Sequence, residues 1–358
     1  MSSPRVNLIH NRFYIMRYLL FPVIASVLFI SCHNQYRQEV MAGIQMNTIC
    51  QIEENYHLVG HALSLDVSED GSFIISNGSD IIGYDPVGHQ TFVWNRKGRG
   101  PYEYLVAKRV RVYEDTVYVW DSGSARFLAF DKEGKGLWTY DYDSAICDFY
   151  VTESAIFIYP CGRKWEYLVE ELDLASLSIV QSLGSSSMAQ KALHAVEAAV
   201  PLTVDSGSLY FMSRDKLDLY KYDLENDYEP TIVQQFQSDT FLCSEIDRDP
   251  FETNPLSGLQ FVFQNSYIVT FAIDGDSYKL LTAEGRAEPG NIQPDGHMKV
   301  SNNELVFRLY RTIDESQTVE SSERSFDPAL ISVRNGSIFV LIDNPDNERF
   351  PYKLVSLE

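Results

Sequence analysis

The chain has 358 residues, of which 45% are hydrophobic and 13% aromatic, and this composition excludes an intrinsically disordered protein. Its 50 acidic residues outnumber its 29 basic residues, so the formal net charge is −21. A surface this acidic repels the phosphate backbone of nucleic acids, and we expect no nucleic-acid partner.

The first predicted element is an N-terminal export signal. Arg5, Arg12 and Arg17 precede an uncharged, mostly apolar run that ends at Cys32. A membrane-spanning helix needs about 20 apolar residues, and this run is shorter. A basic segment, an apolar segment and a small residue before the cleavage point are typical of a secretory signal. The sequence therefore predicts a signal peptide over residues 1–31.

The end of this signal resembles a motif of bacterial lipoproteins. Residues 28–32, with the sequence Leu-Phe-Ile-Ser-Cys, resemble the lipobox, whose cysteine is lipid-modified and becomes the new N-terminus. The resemblance implies a lipid anchor on Cys32, because each buried CH₂ of an acyl chain contributes about 0.8 kcal/mol. A soluble secreted protein with an unmodified cysteine is the alternative. The expected location is the bacterial cell envelope, on its periplasmic or outer-membrane face, with the membrane as a partner through the anchor.

The mature chain is predicted to begin with a tether over residues 32–48, followed by one domain over residues 49–358. Short runs of β-branched and aromatic residues recur in it, each introduced by Gly, Asp, Asn or Ser. The seven clearest runs occupy residues 71–77, 115–121, 154–160, 207–213, 265–271, 303–309 and 336–342. A spacing of roughly 40 residues in an all-β chain is typical of propeller blades, each a four-stranded antiparallel sheet.

We predict a six-bladed β-propeller, although seven runs also allow seven blades. The runs at 265–271 and 303–309 are merged into one blade because no long second run separates them. Strand-like segments at 50–58 and 352–357 lie near the two ends of the domain. Pairing them in one blade would close the ring and cover its open edges.

Two blades are predicted strand by strand. The second blade has strands at residues 109–113, 116–120, 126–130 and 136–140. The fourth blade has strands at residues 200–204, 208–212, 218–222 and 231–236. Between blades, residues 187–199 are rich in helix formers and predict a few helical turns. The polar residues 284–328 predict long loops around one strand.

Two segments of the second blade resemble known families. In residues 118–134 an aspartate, Asp121, ends one strand, and Arg126 opens the next, as in the NHL repeat. Residues 98–104 are similar to the Gly-x-Gly-Pro-Gly-Glu-Tyr loop of the six-bladed β-propeller lipoproteins of Bacteroidetes, with Tyr102 replacing the third glycine. The resemblance implies only the fold and the cellular address, since that family has no assigned general activity. We expect Asp121 to accept N–H groups of a turn.

The predicted ligand-binding residues lie in the loop that carries this resemblance. They are Arg96, Lys97, Arg99, Tyr102 and Glu103, in the one concentrated basic patch of an acidic chain. The glycines of the loop would allow the backbone to approach an anion such as phosphate or carboxylate. The alternative is a connector between blades whose charges face solvent or neighbouring carboxylates.

No local catalytic motif is present. The chain lacks a Gly-x-Ser-x-Gly elbow, a His-Glu-x-x-His pair, a P-loop and a dinucleotide fingerprint. His57 and His61 have helical spacing but lie in a strand-and-turn context, so no metal site is predicted there. The start of a calcium loop is mimicked by Asp66, Ser68 and Asp70. The glutamate that such a loop needs at its end is missing here, so we predict that these residues form the turn into the first blade.

Four cysteines follow the lipobox, and none has the Cys-x-x-Cys spacing of a zinc or redox site. Cys147 and Cys161 fall in one predicted supersecondary unit and could form a disulfide in an oxidising compartment. Four buried thiols, these two with Cys50 and Cys243, are the alternative.

The predicted function is a binding or interaction module of the envelope, with a protein, peptide or carbohydrate ligand and no required cofactor. A rigid propeller with variable loops offers a recognition surface without any chemistry, so a binding module is favoured over an enzyme. The alternative is a calcium-assisted hydrolase or lactonase at the mouth of the central channel, where the metal would polarise a carbonyl. This alternative predicts three or more Asp, Glu, Asn or His side chains clustered at the mouth.

Overall fold

A computed structural model gives the fold of most of the predicted domain. It describes residues 43–53, 62–161, 165–193, 201–225, 230–285, 305–313, 316–322, 326–345, 347 and 349–358. The predicted signal peptide, Cys32, His57 and His61 lie outside the described residues. Within the described ranges, no helix is long and apolar enough to span a membrane.

The described residues form six four-stranded antiparallel sheets, which confirms the predicted six-bladed β-propeller. The chain enters through β1 (Met46–Ile52), which belongs to the last blade. Blade one contains β2 (Ser64–Val67), β3 (Phe73–Ser76), β4 (Asp80–Tyr84) and β5 (Gln90–Asn95). Blade two contains β6 (Ala107–Tyr113), β7 (Thr116–Asp121), β8 (Arg126–Asp131) and β9 (Gly136–Asp141). Blade three contains β10 (Ile146–Val151), β11 (Ala155–Pro160), β12 (Val169–Asp173) and β13 (Ser178–Leu183).

The second half of the ring repeats this plan. Blade four contains β14 (Leu202–Asp205), β15 (Ser208–Met212), β16 (Asp218–Asp223) and β17 (Thr231–Gln235). Blade five contains β18 (Tyr267–Asp274), β19 (Ser277–Gly285), β20 (Leu305–Ile313) and β21 (Ser316–Ser322). Blade six contains β22 (Ile331–Arg334), β23 (Ser337–Asp343) and β24 (Tyr352–Leu357), with β1 as its outer strand. The strands predicted for blades two and four agree with these bounds to within a few residues.

The ring is closed by the two ends of the domain, as predicted. β1 pairs antiparallel with β24, so that Met46 lies opposite Leu357 and Ile52 opposite Tyr352. β1 therefore begins inside the segment predicted as tether. The N-terminal and C-terminal strands pair within one blade. The ring therefore closes without a gap that would expose unpaired strands between blades.

The core is divided into hydrophobic clusters that lie between neighbouring blades. Every residue of β3 and of β11 is buried, because these second strands of their blades are covered on both faces by neighbouring blades. Phe127 of blade two meets Phe149 of blade three edge to face, with ring centroids 5.2 Å apart. Burying such a side chain contributes about 1.5–3 kcal/mol. The blades are thus held together mainly by apolar contact.

The helices lie between blades and contribute to the cluster beside blades five and six. α1 (Met188–Leu193) confirms the helical turns predicted at 187–199. α2 (Pro250–Thr253) and α3 (Pro255–Gln264) were not predicted. Both begin with a capping side chain followed by proline. Asp249 accepts the Phe251 N–H at 2.8 Å, and Asn254 accepts that of Ser257 at 2.8 Å.

The expectation of a single strand in residues 284–328 is wrong. Both β20 and β21 lie there and pair with each other, from Phe307 opposite Ser322 to Ile313 opposite Ser316. β21 is the outer strand of blade five, and most of its side chains are exposed or half-buried. Its polar sequence reflects that exposure, so the apolar pattern that identifies the inner strands is missing.

Candidate functional site

The first strands of the six blades line the central channel. Neighbouring first strands contact one another around a closed ring, from β2 through β6, β10, β14 and β18 to β22 and back to β2. The cavity at their centre is lined by residues of all six strands. Its volume is about 30 Å³, which is room for one or two water molecules. This cavity therefore has no space for a substrate.

Arginine side chains fill this channel and bond to the strands around it. Arg109 is 2% exposed, and it donates to the carbonyl oxygens of Cys147 at 2.9 Å and Leu63 at 2.6 Å. Arg111 donates in the same way to Phe149 at 3.1 Å and Leu65 at 3.2 Å. The free carbonyls of blades one and three are thus satisfied by two side chains of blade two.

Two buried carboxylates balance these charges. Asp148 lies 3.8 Å from Arg109 and pairs closely with Arg111. Asp66 accepts the Val112 N–H at 2.7 Å and the Ser332 hydroxyl at 3.0 Å.

Arg334 completes the network from blade six. Its guanidinium lies 3.5 Å from Asp66 and donates to the Val67 carbonyl at 2.9 Å. Burial acts to lower the pKa of Arg334, but Asp66, Tyr150 and Glu69 together outweigh it and raise the pKa, so this arginine stays charged. The sequence analysis missed the whole network. A usable signal was the alternation of arginine with valine in residues 109–112, which is unusual for a strand buried on both faces.

The structure brings the predicted ligand-binding residues together in one loop between blades one and two. Lys97 and Arg99 are exposed, and the Arg96 guanidinium lies 5.4 Å from the centre of the Phe130 ring. Tyr102 packs against Gly136, where an added Cβ would lie 2.1 Å from its ring. The loop is thus a packed connector that carries two exposed cationic side chains.

The Glu103 carboxylate already accepts a backbone N–H group that an anion bound to this loop would need. Its carboxylate accepts the Gly100 N–H at 2.7 Å, and Arg126 donates to the carbonyl oxygens of Gly100, at 2.9 Å, and of Glu103. An incoming anion would have to displace Glu103 from this N–H. Anion binding by the loop stays a prediction.

Asp121 has the turn-forming role that was predicted for it. Its carboxylate is fully buried and accepts the N–H groups of Leu105 at 3.1 Å, Val106 at 2.9 Å and Gly123 at 3.0 Å. Arg126 lies 3.8 Å away. The residues that resemble the NHL repeat therefore hold the loop between blades one and two in place.

The part of the chain that the structure describes contains no set of ligands for the calcium ion of the hydrolase alternative. There, no three His, Cys, Asp or Glu side chains lie close enough together to hold a metal ion. The predicted turn after β2 is confirmed, since Asp70 accepts both the N–H and the hydroxyl of Ser72. Asp66, the first residue of the calcium-like motif, instead points into the channel network.

A larger cavity lies between blades three and four. Its volume is about 490 Å³, within the range of about 300–1,000 Å³ that is usual for small-molecule sites. We call it the blade 3–4 pocket. It is lined by Tyr167, Leu168, Ser182, Gly184, Ser185, Ser186, Ser187, Ser213, Lys216, Tyr220 and Pro230. The sequence did not predict this pocket, because its residues come from separate strands and loops with no shared motif.

One wall of the blade 3–4 pocket is fixed by Asp215. It accepts hydrogen bonds from the hydroxyls of Ser187, at 2.5 Å, and Ser213. The buried Gln190 side chain supports Ser213 from behind, accepting from its hydroxyl at 3.2 Å. These serines are therefore held in fixed orientations before any ligand arrives.

Other polar groups of the pocket take no part in these contacts. Among the residues that the structure describes, the buried Ser186 hydroxyl oxygen has no hydrogen-bond partner and Lys216 forms no ion pair. Burial, aided by the carboxylates of Asp218 and Asp215, raises the pKa of Tyr220, so its phenol stays protonated. Tyr167 is 45% exposed and offers one ring face to solvent.

Two solved structures share this architecture. A Bacteroides fragilis protein predicted to be exported has a TM-score of 0.62 at 10% identity, covering 90% of this chain and 97% of that chain. A member of the DUF4221 family from Bacteroides vulgatus has a TM-score of 0.60 at 11% identity, covering 89% and 97%. No family model and no curated protein matches the chain. These likenesses establish the propeller fold alone.

Proposed function

We propose that the protein is a binding module of the bacterial cell envelope, held at a membrane by a lipid on Cys32. The signal-like N-terminus supports export, and one structural neighbour is a Bacteroides protein predicted to be exported. Replacing Cys32 by serine tests the anchor. We expect the full chain to fractionate with membranes and the variant to appear in the soluble fraction, whereas equal membrane association of both would refute lipid anchoring.

The proposed binding function rests on which of the two cavities has room for a ligand. The channel, where a propeller enzyme would assemble its site, is filled by Arg109, Arg111 and Arg334 with their partners. The blade 3–4 pocket is far larger and opens to solvent beside the exposed Tyr167. We therefore assign the ligand to this pocket.

The chemistry of the pocket favours a sugar-like ligand rich in hydroxyl groups. The charges of Asp215 and Lys216 offset one another, so neither an anion nor a cation is favoured by net charge. Several serine hydroxyls line the pocket, and a hydroxyl can both donate and accept. The rings of Tyr167 and Tyr220 supply flat apolar surface of the kind that packs against the C–H face of a sugar ring.

The test is titration of the full chain with a panel of mono- and disaccharides, with inorganic phosphate as an anionic probe. A ligand at about 100 times its Kd stabilises the folded protein by about 2.7 kcal/mol, which is visible as a rise in Tm. Tyr167→Ala should weaken sugar binding at least tenfold. Tyr102→Ala is the matched control, because Tyr102 is 38% exposed but lies on the loop between blades one and two.

Three results would overturn this assignment. Failure of every saccharide to raise the Tm would remove the proposed ligand class. Binding that Tyr102→Ala weakens as much as Tyr167→Ala would move the site away from the blade 3–4 pocket. A response to phosphate alone that disappears in Lys216→Ser would make the ligand an anion instead.

A further inference from the structure

Two cysteines of blade three lie near each other on paired segments of the chain. Cys147 is on β10, and Cys161 directly follows β11, its antiparallel partner. The Cys161 N–H donates to the carbonyl oxygen of Ala145 at 2.9 Å, which continues the strand pairing past the end of β11. The register of β10 shifts between Ile146 and Asp148, so Cys147 lies in a bulge. Cys147 belongs to the hydrophobic cluster between blades three and four, and Cys161 packs against the same cluster.

The surroundings make the two thiols chemically unequal. Burial acts to raise the pKa of Cys147, but the hydrogen bond from Cys161 and the positive charges of Arg214 and Arg109 outweigh it and lower the pKa. The same hydrogen bond, together with burial, raises the pKa of Cys161. The thiolate is the nucleophile in disulfide chemistry, so Cys147 is the stronger attacking group of the pair.

The other described cysteines have a different environment. Cys50 lies on β1 in the cluster between blades six and one, and Cys243 packs beside the helices. Burial raises the pKa of Cys50 to about 11 and that of Cys243 to about 12. Both are therefore protonated and unreactive near neutral pH, and they serve as internal controls.

We propose that Cys147 and Cys161 form a disulfide that joins β10 to the end of β11 when the protein is exported to an oxidising compartment. The oxidant is a low-molecular-weight disulfide. The Cys147 thiolate attacks one sulfur of the oxidant, forming a mixed disulfide and releasing one thiolate. Cys161 then loses its proton, attacks the Cys147 sulfur and releases the second thiolate. Two protein thiols are oxidised, and the oxidant is reduced to two thiols that take up the two protons.

This proposal is independent of the ligand assigned above. Cys147 contributes to the cluster between blades three and four, and Cys161 packs against it. A bond between the two would restrain the blade that carries one wall of the blade 3–4 pocket. It would do so without changing any residue that lines the pocket.

Peptide mapping of the full chain tests the pairing directly. Residues 136–163 contain both cysteines and have no internal lysine or arginine, so trypsin releases them as one peptide. After treatment with oxidised glutathione and alkylation of free thiols, we expect this peptide to be two hydrogen atoms lighter than its reduced form and to carry no alkyl group. Cys50 and Cys243 should be alkylated after unfolding. Recovery of the peptide with both cysteines alkylated would overturn the proposal.

Variants separate a disulfide from a general effect of oxidation. Reduction should lower the Tm of the oxidised wild-type chain and of the Cys50→Ser control. It should leave the Tm of the Cys147→Ser/Cys161→Ser double variant unchanged. If the serine at the buried position prevents folding, Cys161→Ser alone gives the same test, since one thiol cannot close the bond. A Tm that falls equally on reduction in wild type and in the cysteine variants would refute the pairing.

Discussion

Replacing Arg109 by methionine tests whether the inner ring is held together by its own side chains. Methionine keeps most of the apolar volume of arginine but removes its donors. Two hydrogen bonds to the carbonyls of Cys147 and Leu63 would be lost, each from a charged donor and each to a different neighbouring blade. Such bonds contribute about 1.5–3 kcal/mol apiece, so we expect the free energy of unfolding to fall by about 3–6 kcal/mol. Loss of a partner for the buried Asp148 acts in the same direction.

The assay is urea unfolding of the wild type, Arg109→Met and a control, Arg99→Met. Arg99 is exposed at the tip of the loop between blades one and two, so the same substitution there should change stability by less than about 0.5 kcal/mol. The expected result is a lower urea midpoint for Arg109→Met alone, with an unchanged slope. A midpoint equal to that of Arg99→Met would show that water can replace the arginine, and the reasoning about the inner ring would fail.

Three further predictions concern the loop, the turn and metal binding. Replacing Arg96, Lys97 and Arg99 together by serine should weaken binding of inorganic phosphate without lowering the Tm, whereas an equal loss of stability would assign these residues to the scaffold. Asp121→Ala should destabilise the protein more than Asp121→Asn, since alanine leaves three N–H groups without an acceptor at about 1–3 kcal/mol each, and equal urea midpoints would contradict this. EDTA followed by Ca²⁺ should leave the Tm unchanged, and a clear rise with Ca²⁺ would support the hydrolase alternative.

The fold could be predicted because each blade repeats a local pattern. Residues 115–121, 154–160 and 207–213 cover second strands of blades, which are buried on both faces and so read as continuous apolar runs. The turns between them carry Gly, Asp or Ser. In blade five the runs at 265–271 and 303–309 correspond to the first and third strands instead of the second. Assigning both runs to one blade gave the correct number of blades.

The elements that escaped prediction share a physical cause. β21 lies at the outer edge of blade five, where its side chains face solvent and carry no apolar periodicity. α2 and α3 are short, and their signal is confined to the pairs Asp249-Pro250 and Asn254-Pro255, which a search for strands passes over. The exposure of β21 and the shortness of α2 and α3 thus removed the apolar periodicity on which the prediction depended.

The interior network could not be predicted because its members meet only when the ring closes. Asp66 accepts a hydrogen bond from Ser332, which lies 266 residues away, and its contact with Arg334 depends on β1 having paired with β24. No local pattern encodes such a meeting. A charged residue in a strand that is otherwise apolar is still informative, because burial of an unpaired charge is too costly to persist. Arg109 and Arg111 in β6 therefore require carboxylate or carbonyl partners from other blades, and the sequence alone does not identify which residues these are.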